Sequence, residues 1–334
     1  MIKKLLFFLV PAAIAALAIF LTYYWWNQVV KPVSNNTSSY DFLITKGSSA
    51  SQVANKLKEQ GLISDSLAFR IYVQITGKSK KILAGEYSLS PSYSLLKIVD
   101  ILGRGPIELW ITIPEGLRRE EIAERFANSL GKKDKTAFIQ EFLTSSKAKE
   151  GYLFPDTYLF PKTASASAVV AKMLGTFDKK IDSGIREQIV SRGYDLPEVT
   201  TLASIIERET KTQEERPIVA GILYNRLKAA WPLQADATLQ YAVASVKCQG
   251  SDAKCNWWEA LSKEDLEIKS GYNTYKFSGL PPTPICNPGL SSIKAAANPQ
   301  DTDFWFYLHD VNGQIHYAQT ISQHNENVRK YLAK

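Results

Sequence analysis

Two short stretches of the chain share one pattern 69 residues apart: Phe42-Leu-Ile-Thr-Lys-Gly47 and Ile111-Thr-Ile-Pro-Glu-Gly116. Each reads as a short β-strand that ends in a glycine turn. After each stretch, apolar residues recur with the spacing i, i+1 and i+4, which predicts an amphipathic helix. These residues are Val53, Ala54 and Leu57 in the first copy, and Ile122, Ala123 and Phe126 in the second. The repetition predicts a duplicated unit of strands and helices, and therefore an α+β fold.

Further matches extend the repeated unit. Ala68-Phe69 matches Ala137-Phe138 at the same offset, and Gly85-Glu-Tyr87 matches Asp156-Thr-Tyr158 at an offset of 71. The predicted unit is strand, helix, helix, extended segment and helix, and its two copies fill residues 41–175. A unit of this kind resembles the LysM-like modules that bind cell-wall glycans. A duplicated scaffold that binds nothing is the alternative.

The N-terminus carries one long apolar segment. Leu5–Leu21 is an unbroken apolar run, and Tyr23-Tyr24-Trp25-Trp26 follows it closely. A helix needs roughly 20 apolar residues to cross a bilayer, and aromatic residues concentrate at the membrane interface. Residues 5–26 are therefore predicted to form a transmembrane helix.

The charges around this segment predict its orientation. Lys3 and Lys4 precede it, so we expect residues 1–4 to be a cytoplasmic tail and everything beyond residue 40 to lie outside the cytoplasmic membrane, in the periplasm where there is one. Residues 27–40 are polar and read as a linker. A cleaved signal peptide is the alternative, but the apolar segment continues past the small-residue motif Ala16-Leu17-Ala18, which favours an uncleaved anchor.

Composition and charge are typical of a globular protein and do not indicate a nucleic-acid-binding protein. The chain has 334 residues, of which 45% are hydrophobic and 22% charged, as in ordinary globular proteins with about two domains. The formal net charge of +7 suits an anionic surface or polymer. The basic residues are scattered, with no basic run longer than Lys78-Ser79-Lys80-Lys81, so we expect no nucleic-acid partner.

The sequence offers little material for a metal or cofactor site. Its three histidines, His309, His316 and His324, are spaced by seven and eight residues, and neither an HExxH nor a CxxC motif is present. No GxSxG motif or P-loop is found either. We therefore expect no metal and no cofactor.

One stretch in the C-terminal half, Leu196–Thr210 (LPEVTTLASIIERET), predicts a helix with a proline in its first turn. Its apolar stripe consists of Val199, Leu202, Ile205 and Ile206. At 100° per residue, Glu209 lies about 20° from Leu202, near the centre of that stripe, whereas Glu207 lies on its flank.

A carboxylate on an apolar face is costly unless it is protonated or paired. Desolvation raises its pKa and lets Glu209 hold a proton near neutral pH, which a general acid beside a glycosidic oxygen must do. The alternative is that Glu209 caps a neighbouring element or pairs with a buried arginine, such as Arg216 or Arg226.

Further motifs follow this helix in a fixed order, and together with Ala203-Ser-Ile-Ile-Glu-Arg-Glu-Thr210 they resemble the YceG-like (MltG-type) endolytic murein transglycosylases. The repeat, the N-terminal segment and Glu150–Tyr158 fit the same family, so the resemblance covers essentially the whole chain. The ordered motifs are Glu215-Arg216, Asn225-Arg226-Leu227, Leu233-Gln234-Ala-Asp236, Tyr272-Asn-Thr-Tyr275, Gly279-Leu-Pro-Pro282 and Asn287-Pro-Gly289.

The resemblance implies a fold and an activity. Residues 176–334 would form a YceG-like α+β catalytic domain, to which Glu150–Tyr158 could contribute. The enzyme would cut the β-1,4 bond between N-acetylmuramic acid and N-acetylglucosamine in nascent peptidoglycan strands, leave a 1,6-anhydro ring and so terminate strand elongation. Peptidoglycan synthases would be plausible partners. The catalytic acid of the family falls on Glu209.

The resemblance also suggests supporting residues. Gln234 and Asp236 are candidates for substrate contacts, with a local turn or cap as the alternative, although family members often carry Pro where Ala237 stands. A second set, in the YNTY segment, is Tyr272, Asn273 and Thr274, with a turn between packed tyrosines as the alternative. Glu207 is a further supporting candidate.

Asn273 bears on the type of reaction. It can hydrogen-bond a substrate but cannot act as a base, which leaves Glu209 as the one carboxylate and favours a lytic over a hydrolytic reaction, since hydrolysis normally uses two. The rivals are a hydrolytic muramidase on the same fold and a non-catalytic scaffold that binds glycans.

The three cysteines allow one disulfide. Cys248 and Cys255 bracket a polar loop and could pair in an oxidising compartment, which would leave Cys286 as a lone buried thiol. The alternative is three unpaired thiols.

Overall fold

The computed structural model of the chain describes residues 2–248 and 255–332, with side chains from residue 13 onwards. The chain forms two compact units. Unit 1 consists of Met1–Ile111 and Tyr158–Lys162, and unit 2 of Thr112–Thr157 and Thr163–Lys334.

Unit 1 is built on a four-stranded sheet with the order β1-β2-β3-β4. The pairs β1–β2 and β2–β3 are antiparallel, with Tyr40 opposite Leu89 and Gly85 opposite Leu109. A Cβ at Gly85 would lie 2.0 Å from the carbonyl oxygen of Glu108, so only glycine allows this close pairing. The strands are β1 (Tyr40–Ile44), β2 (Gly85–Leu89), β3 (Glu108–Thr112) and β4 (Thr157–Pro161).

Helices cover this sheet and close the core of unit 1. Phe42 and Tyr87 from the strands are fully buried against Leu57 and Phe69 from the helices. The helices are α1 (Ile2–Val29), α2 (Ala50–Glu59), α3 (Ser66–Ile75) and α4 (Leu95–Arg104), with a 3₁₀ turn at Lys78–Lys81.

Helix α1 contains the predicted membrane anchor, and its side chains before residue 13 lie outside the described part of the chain. No helix in the part that the structure describes combines the length and apolar character that a membrane span needs. Tyr23 and Tyr24 are exposed, whereas Trp25 and Trp26 pack against the core of unit 1, with the Trp26 ring 5.9 Å from that of Tyr72. The two tryptophans therefore contact the folded unit where the predicted membrane segment ends.

The predicted linker 27–40 is tied to unit 1 by hydrogen bonds. The Val30 carbonyl accepts from the Leu95 N–H at 3.1 Å, and the Asn36 carbonyl accepts from the Ser90 hydroxyl at 3.0 Å. These bonds hold the segment along the surface of the unit.

The repeated order of elements predicted from the sequence is confirmed. The first copy reads β1, α2, α3, β2, α4, and the second reads β3, α5, α6, β4, α7. The compact units, however, divide the second copy, because its helices pack in unit 2. These helices are α5 (Arg119–Ser129), α6 (Lys135–Ser145) and α7 (Ala166–Lys180).

The rest of unit 2 is organised around one buried helix, α9 (Leu196–Glu209), which packs against α8, α10, α11 and α12. A two-stranded antiparallel sheet and α13 follow near the C-terminus, and a 3₁₀ turn covers Glu264–Glu267. The other elements are α8 (Ser183–Ser191), α10 (Glu215–Lys228), α11 (Asp236–Lys247), α12 (Leu290–Ala297), β5 (Phe306–His309), β6 (Ile315–Ala318) and α13 (Ile321–Tyr331).

The predicted start of α9 is confirmed by its capping. Asp195 accepts a hydrogen bond from the Glu198 N–H at 2.7 Å, and the Glu198 side chain accepts from the Asp195 N–H at 3.0 Å. This capping box satisfies two backbone donors at the helix N-terminus. Every residue from Val199 to Ile206 is buried, so the buried surface of the helix is wider than the predicted apolar stripe. The last residue of the helix is Glu209, which α9 presents at its C-terminal end.

Candidate active site

Glu209 has the electrostatic character predicted for a general acid. Burial raises the pKa of its carboxyl group to about 7, and the nearby charge of Asp236 acts in the same direction. Hydrogen bonds from the Tyr307 hydroxyl and the Ala237 N–H, together with the charge of Arg226, oppose this rise. Glu209 therefore exchanges its proton near neutral pH, as an acid–base catalyst needs.

Tyr307 is a direct hydrogen-bond partner of Glu209. Its hydroxyl donates a hydrogen bond to Glu209 Oε2 at 2.9 Å. Burial, followed by the charge of Glu209, raises the pKa of the Tyr307 phenol well above its usual value, so the phenol stays protonated. Tyr307 therefore acts as a donor towards this oxygen.

Arg226 lies behind this pair and is buried. Its Nε and Nη2 donate to the Trp305 carbonyl at 2.9 and 2.7 Å, and Nη1 donates to the Leu233 carbonyl at 2.6 Å. Within the described residues, Glu209 has no ion pair with an arginine or lysine. Arg226 therefore acts on Glu209 through its field, and the described residues do not form the alternative ion pair with Arg216 or Arg226. The alternative of a cap is met in part, because the Ala237 N–H in the first turn of α11 donates to Glu209.

Both carboxylate oxygens of Glu207 are bound by groups of the fold. Its Oε1 accepts a hydrogen bond from Arg216 Nη2 at 2.9 Å, and its Oε2 accepts from the Gly289 N–H and the Ser292 hydroxyl, both at 2.8 Å. Only 6% of the side chain is exposed. Glu207 therefore joins α9 to α10 and α12, with no oxygen left to meet a substrate.

Asp236 and Gln234 lie at the start of α11. Asp236 is exposed and accepts a short hydrogen bond, 2.5 Å, from the Tyr275 hydroxyl. Gln234 is exposed and has a φ of +54°, and its N–H donates to the Thr274 carbonyl at 3.0 Å. The structure thus brings both predicted residues beside the YNTY segment, and Asp236 close enough to Glu209 to affect its pKa.

The YNTY segment supports this arrangement from inside. The Thr274 hydroxyl bonds to the Ala235 N–H at 3.1 Å and to the Thr238 hydroxyl at 2.8 Å, which fixes the start of α11. The Tyr272 hydroxyl bonds to Thr283 at 2.6 Å, and its ring lies 4.8 Å from that of Tyr241. These contacts match the alternative of a turn between packed tyrosines.

Asn273 lies in the interior of its loop and not at the surface of the site. Its side chain is fully buried: Nδ2 donates to the carbonyls of Leu266 and Ile268 at 3.0 and 2.9 Å, and Oδ1 accepts from the Tyr275 N–H at 3.1 Å. A side chain with no exposed atom cannot contact a substrate in this conformation. Asn273 therefore organises the loop that carries Tyr275, and the substrate contact predicted for it is wrong.

A disulfide lies at the C-terminal end of α11, the opposite end of the helix from Asp236, and two tryptophans follow it. Cys248 and Cys255 form the predicted pair, with their Cα atoms 5.9 Å apart. Just after it, the Trp257 ring covers the Arg118 guanidinium at 4.4 Å and the Trp258 ring covers that of Arg208 at 3.8 Å. The third cysteine, Cys286, is buried and free.

A second buried carboxyl group lies away from Glu209. Glu150 accepts hydrogen bonds from the Arg119 N–H at 3.1 Å and from Asn287 Nδ2 at 2.7 Å. Burial, together with the charge of Glu120, raises its pKa to about 8. Asn287 Oδ1 in turn accepts from the Leu153 N–H at 2.9 Å. Glu150 therefore joins the Glu150–Tyr158 segment to the Asn287-Pro-Gly289 motif.

A cavity lies at the other end of α9. It has a volume of about 480 Å³ and is lined by the first turns of α9, by Tyr194 and Tyr224, and by Leu280-Pro281-Pro282 from the Gly279-Leu-Pro-Pro282 motif. Glu209 does not line this cavity.

The histidines have carboxylate partners or pack in the interior. His309 and His316 each lie 3.1 Å from one carboxylate, that of Glu215 and that of Asp310, and His324 stacks on Phe306. Across residues 2–248 and 255–332, no three His, Cys, Asp or Glu side chains group as metal ligands.

The sequence did not predict the partners of Glu209 that are distant from it in the chain. Tyr307 lies 98 residues away in β5, and nothing in its local pattern distinguishes it from a packed tyrosine. Tyr275 could have been predicted, because it is the last residue of the YNTY motif. Its hydrogen bond to Asp236 gives that motif a role at the site.

Over most of its length the chain is similar to known proteins of one family. The model of the YceG-like family matches residues 42–330. An endolytic murein transglycosylase of Bacillus subtilis is 32% identical over 336 residues, which cover 92% of this chain and 89% of that protein. An endolytic murein transglycosylase of Streptococcus pneumoniae is 28% identical over 97% of this chain, which spans only 64% of that longer protein.

A solved structure extends the similarity to three dimensions. The 2.6 Å crystal structure of a yceG-like protein from Listeria monocytogenes superposes with a TM-score of 0.59 and 29% identity, over 87% of this chain and 99% of the other. Family model, relatives and structure all span both units. The chain therefore belongs to the YceG-like family.

Proposed function

We propose that this chain is an endolytic lytic transglycosylase that cleaves peptidoglycan glycan strands with Glu209 as its catalytic acid and base. The observation that carries the proposal is the environment of Glu209. Its carboxyl group has a pKa near 7, accepts a hydrogen bond from the Tyr307 hydroxyl and lies near the exposed Asp236 at the start of α11. The activity named for the Bacillus and Streptococcus relatives supports the same assignment.

The reaction follows from one carboxyl group that works twice. Glu209 gives its proton to the glycosidic oxygen as the bond to C1 of N-acetylmuramic acid breaks. The C6 hydroxyl of the same sugar then attacks C1 and returns its proton to Glu209. The attack is intramolecular and so benefits from a high effective concentration. No water is consumed, and the enzyme ends in its starting protonation state.

A hydrolytic muramidase at the same site is the second candidate, and Asp236 is the observation that favours it. Its exposed carboxylate raises the pKa of Glu209, so Glu209 does not stand alone as the sequence had suggested. A second carboxylate could orient a water molecule for attack. Asp236, however, is bound by the Tyr275 hydroxyl, which weakens it as a base and favours a role in binding.

One experiment separates these activities. The purified full-length chain in detergent is incubated with uncrosslinked glycan strands, and the products are weighed by mass spectrometry. Lytic cleavage gives anhydro ends, which lack one water relative to the reducing ends that hydrolysis gives. We expect anhydro ends. Reducing ends alone would establish the muramidase, and binding without cleavage would establish a glycan-binding scaffold.

We also propose that residues 5–26 anchor the chain in the cytoplasmic membrane, with both units outside the cytoplasm and with peptidoglycan synthases as neighbours. The apolar run and the preceding lysines support this topology. Because Trp25 and Trp26 pack in unit 1, a released form should begin no later than residue 23. Exported with a cleavable signal, that form should cut isolated strands but fail to replace the anchored protein in cells.

The repeated unit in residues 41–175 is proposed as a LysM-like module whose first copy contacts glycan. Its order of elements, confirmed in both copies, supports this resemblance. Unit 1 carries the first copy with its sheet, so a pull-down of insoluble peptidoglycan should depend on its surface. An intact variant with charge reversals on α2 and α3 that still binds fully would speak against the module.

A further inference from the structure

The contact between Tyr307 and Glu209 is specific to one oxygen. The phenol donates to Oε2 at 2.9 Å, and the high pKa of Tyr307 keeps its proton in place. An oxygen that accepts this bond behaves as the carbonyl-like end of the acid. We propose that Tyr307 is a positioning residue that holds the transferable proton of Glu209 on Oε1 and stabilises the carboxylate left after that proton is given to the glycosidic oxygen. The inference rests on the proposed function.

The position of Tyr307 is fixed by the surrounding fold. It lies in β5, opposite Tyr317 in β6. The carbonyl of Trp305, two residues earlier, accepts two hydrogen bonds from the buried Arg226. Arg226 also binds the Leu233 carbonyl, just before the segment that opens α11. The Arg226 guanidinium thus links the strand that carries Tyr307 to the segment that leads to Asp236. This link fixes the position of the Tyr307 phenol relative to Glu209.

The groups that face Glu209 differ in what they do to it. Tyr307 from β5, the Ala237 N–H from α11 and the charge of Arg226 from α10 stabilise the carboxylate, whereas Asp236 from α11 disfavours it. Tyr275 adds no hydrogen bond to Glu209, because its hydroxyl is bound to Asp236. Tyr307 is the one side chain within this set that donates directly to the acid.

The chemistry needs such a donor. As C1–O4 breaks, the proton leaves Oε1 for O4, and negative charge spreads onto Oε2, where the phenol already points. As C1–O6 forms, the C6 hydroxyl proton returns to Oε1. Because the Tyr307 hydroxyl stays on Oε2, Oε1 faces the substrate in both steps. Oε1 therefore gives the proton as the acid and takes it back as the base.

The test is Tyr307→Phe, with Tyr317→Phe from the same hairpin as the matched control. Removing the donor should raise the pKa of Glu209 by about one unit and lower kcat/KM about 10- to 100-fold, since a hydrogen bond to a charged group is lost. The alkaline limb of the pH profile should move upward by the same unit, because general-acid activity is lost as Glu209 ionises. Tyr317→Phe should leave both unchanged.

A second variant guards against a purely structural effect. Asp236→Asn removes a negative neighbour and should lower the pKa of Glu209, opposite in sign to Tyr307→Phe. The pKa is read without substrate, by the ¹³C NMR titration of the Glu209 carboxyl carbon. Melting temperatures confirm that each variant is folded.

The outcomes separate the two proposals. If the wild-type protein cuts no glycan but the ¹³C pKa rises in Tyr307→Phe, the proposed function fails while the positioning role stands. If the wild type cuts glycan but neither the ¹³C pKa nor the alkaline limb rises in folded Tyr307→Phe, the positioning role is overturned.

Discussion

The Glu207 carboxylate and the Arg216 guanidinium form an ion pair with a distance of 2.9 Å in which both side chains are less than a tenth exposed. Glu209, two residues later on the same helix, forms no ion pair in the part of the chain that the structure describes and is affected by Arg226 only through its field. The two carboxyl groups in the last turn of α9 are thus divided by their surroundings into one that must stay ionised for the fold and one that can exchange a proton. This division assigns their roles.

Glu207→Gln should therefore destabilise the protein. It removes the charge opposite a buried guanidinium, and breaking such a pair typically costs about 3–5 kcal/mol. Chemical denaturation should show this loss. Glu115→Gln is the control, because Glu115 also lies 3.5 Å from Arg216 but is 46% exposed, and it should cost less than about 1 kcal/mol. Equal stability of wild type and Glu207→Gln would remove the structural role.

Glu209→Gln should abolish cleavage and leave the fold intact. Gln fills the same space and can still accept the Tyr307 hydrogen bond, but it cannot give and recover a proton. We expect a loss of at least about 10³-fold in turnover of glycan strands, because one group supplies both proton transfers. Glu198→Gln on the same helix is the control, since Gln also closes a capping box and should keep full activity.

The same substitution should change the pH dependence of stability. The pKa of Glu209 is about 7 in the folded chain and about 4.5 when unfolded, so its stabilising contribution is complete below pH 4.5 and is lost as the pH rises to 7. Glu209→Gln should therefore gain up to about 3 kcal/mol over wild type between pH 4.5 and pH 8. Urea denaturation at both pH values measures this gain, and a difference that does not grow with pH would contradict the raised pKa.

Much of the fold could be predicted because it is encoded locally. The repeat at offsets of 69 and 71 predicted the order of ten elements, and Pro197 and the apolar stripe predicted the start and buried face of α9. Helical phase alone preferred Glu209 to Glu207, since it reports which side chain enters the apolar interior.

Contacts between distant segments could not be predicted in the same way. The Tyr307–Glu209 and Arg216–Glu207 bonds depend on how α9, α10 and β5 pack, which no local pattern records. Asn273 was misjudged for a related reason, because an amide that binds a substrate and one that ties a loop together look the same in a sequence. The nearness of Asp236 to Glu209 was missed for the same cause.

Reduction of the Cys248–Cys255 disulfide should loosen the C-terminal end of α11. A loop of this length is stabilised by roughly 2–3 kcal/mol in the chain-entropy model. Wild-type protein should melt at a lower temperature with a thiol reductant, and tryptophan fluorescence should report freer motion of Trp257 and Trp258. A variant with both cysteines changed to serine is the control and should not respond. An unchanged melting temperature in reduced wild type would mean that the disulfide adds no stability.

Asn273→Asp should destabilise its loop without changing the chemistry. The amide Nδ2 donates to two carbonyl oxygens, and a carboxylate in its place would turn both attractions into repulsions inside a fully buried site. We expect a loss of about 3 kcal/mol or more, since a buried polar group is left unsatisfied and charged.

The control for Asn273→Asp is Asn256→Asp. Asn256 is exposed and its side-chain oxygen accepts from the Trp258 N–H at 3.3 Å, so a carboxylate can replace it at little cost. The residual activity of Asn273→Asp should still give the wild-type ratio of anhydro to reducing ends, because the side chain does not reach the reacting centre. A stably folded Asn273→Asp protein that produced mainly reducing ends would place residue 273 beside the anomeric carbon and contradict the buried position that its three hydrogen bonds define.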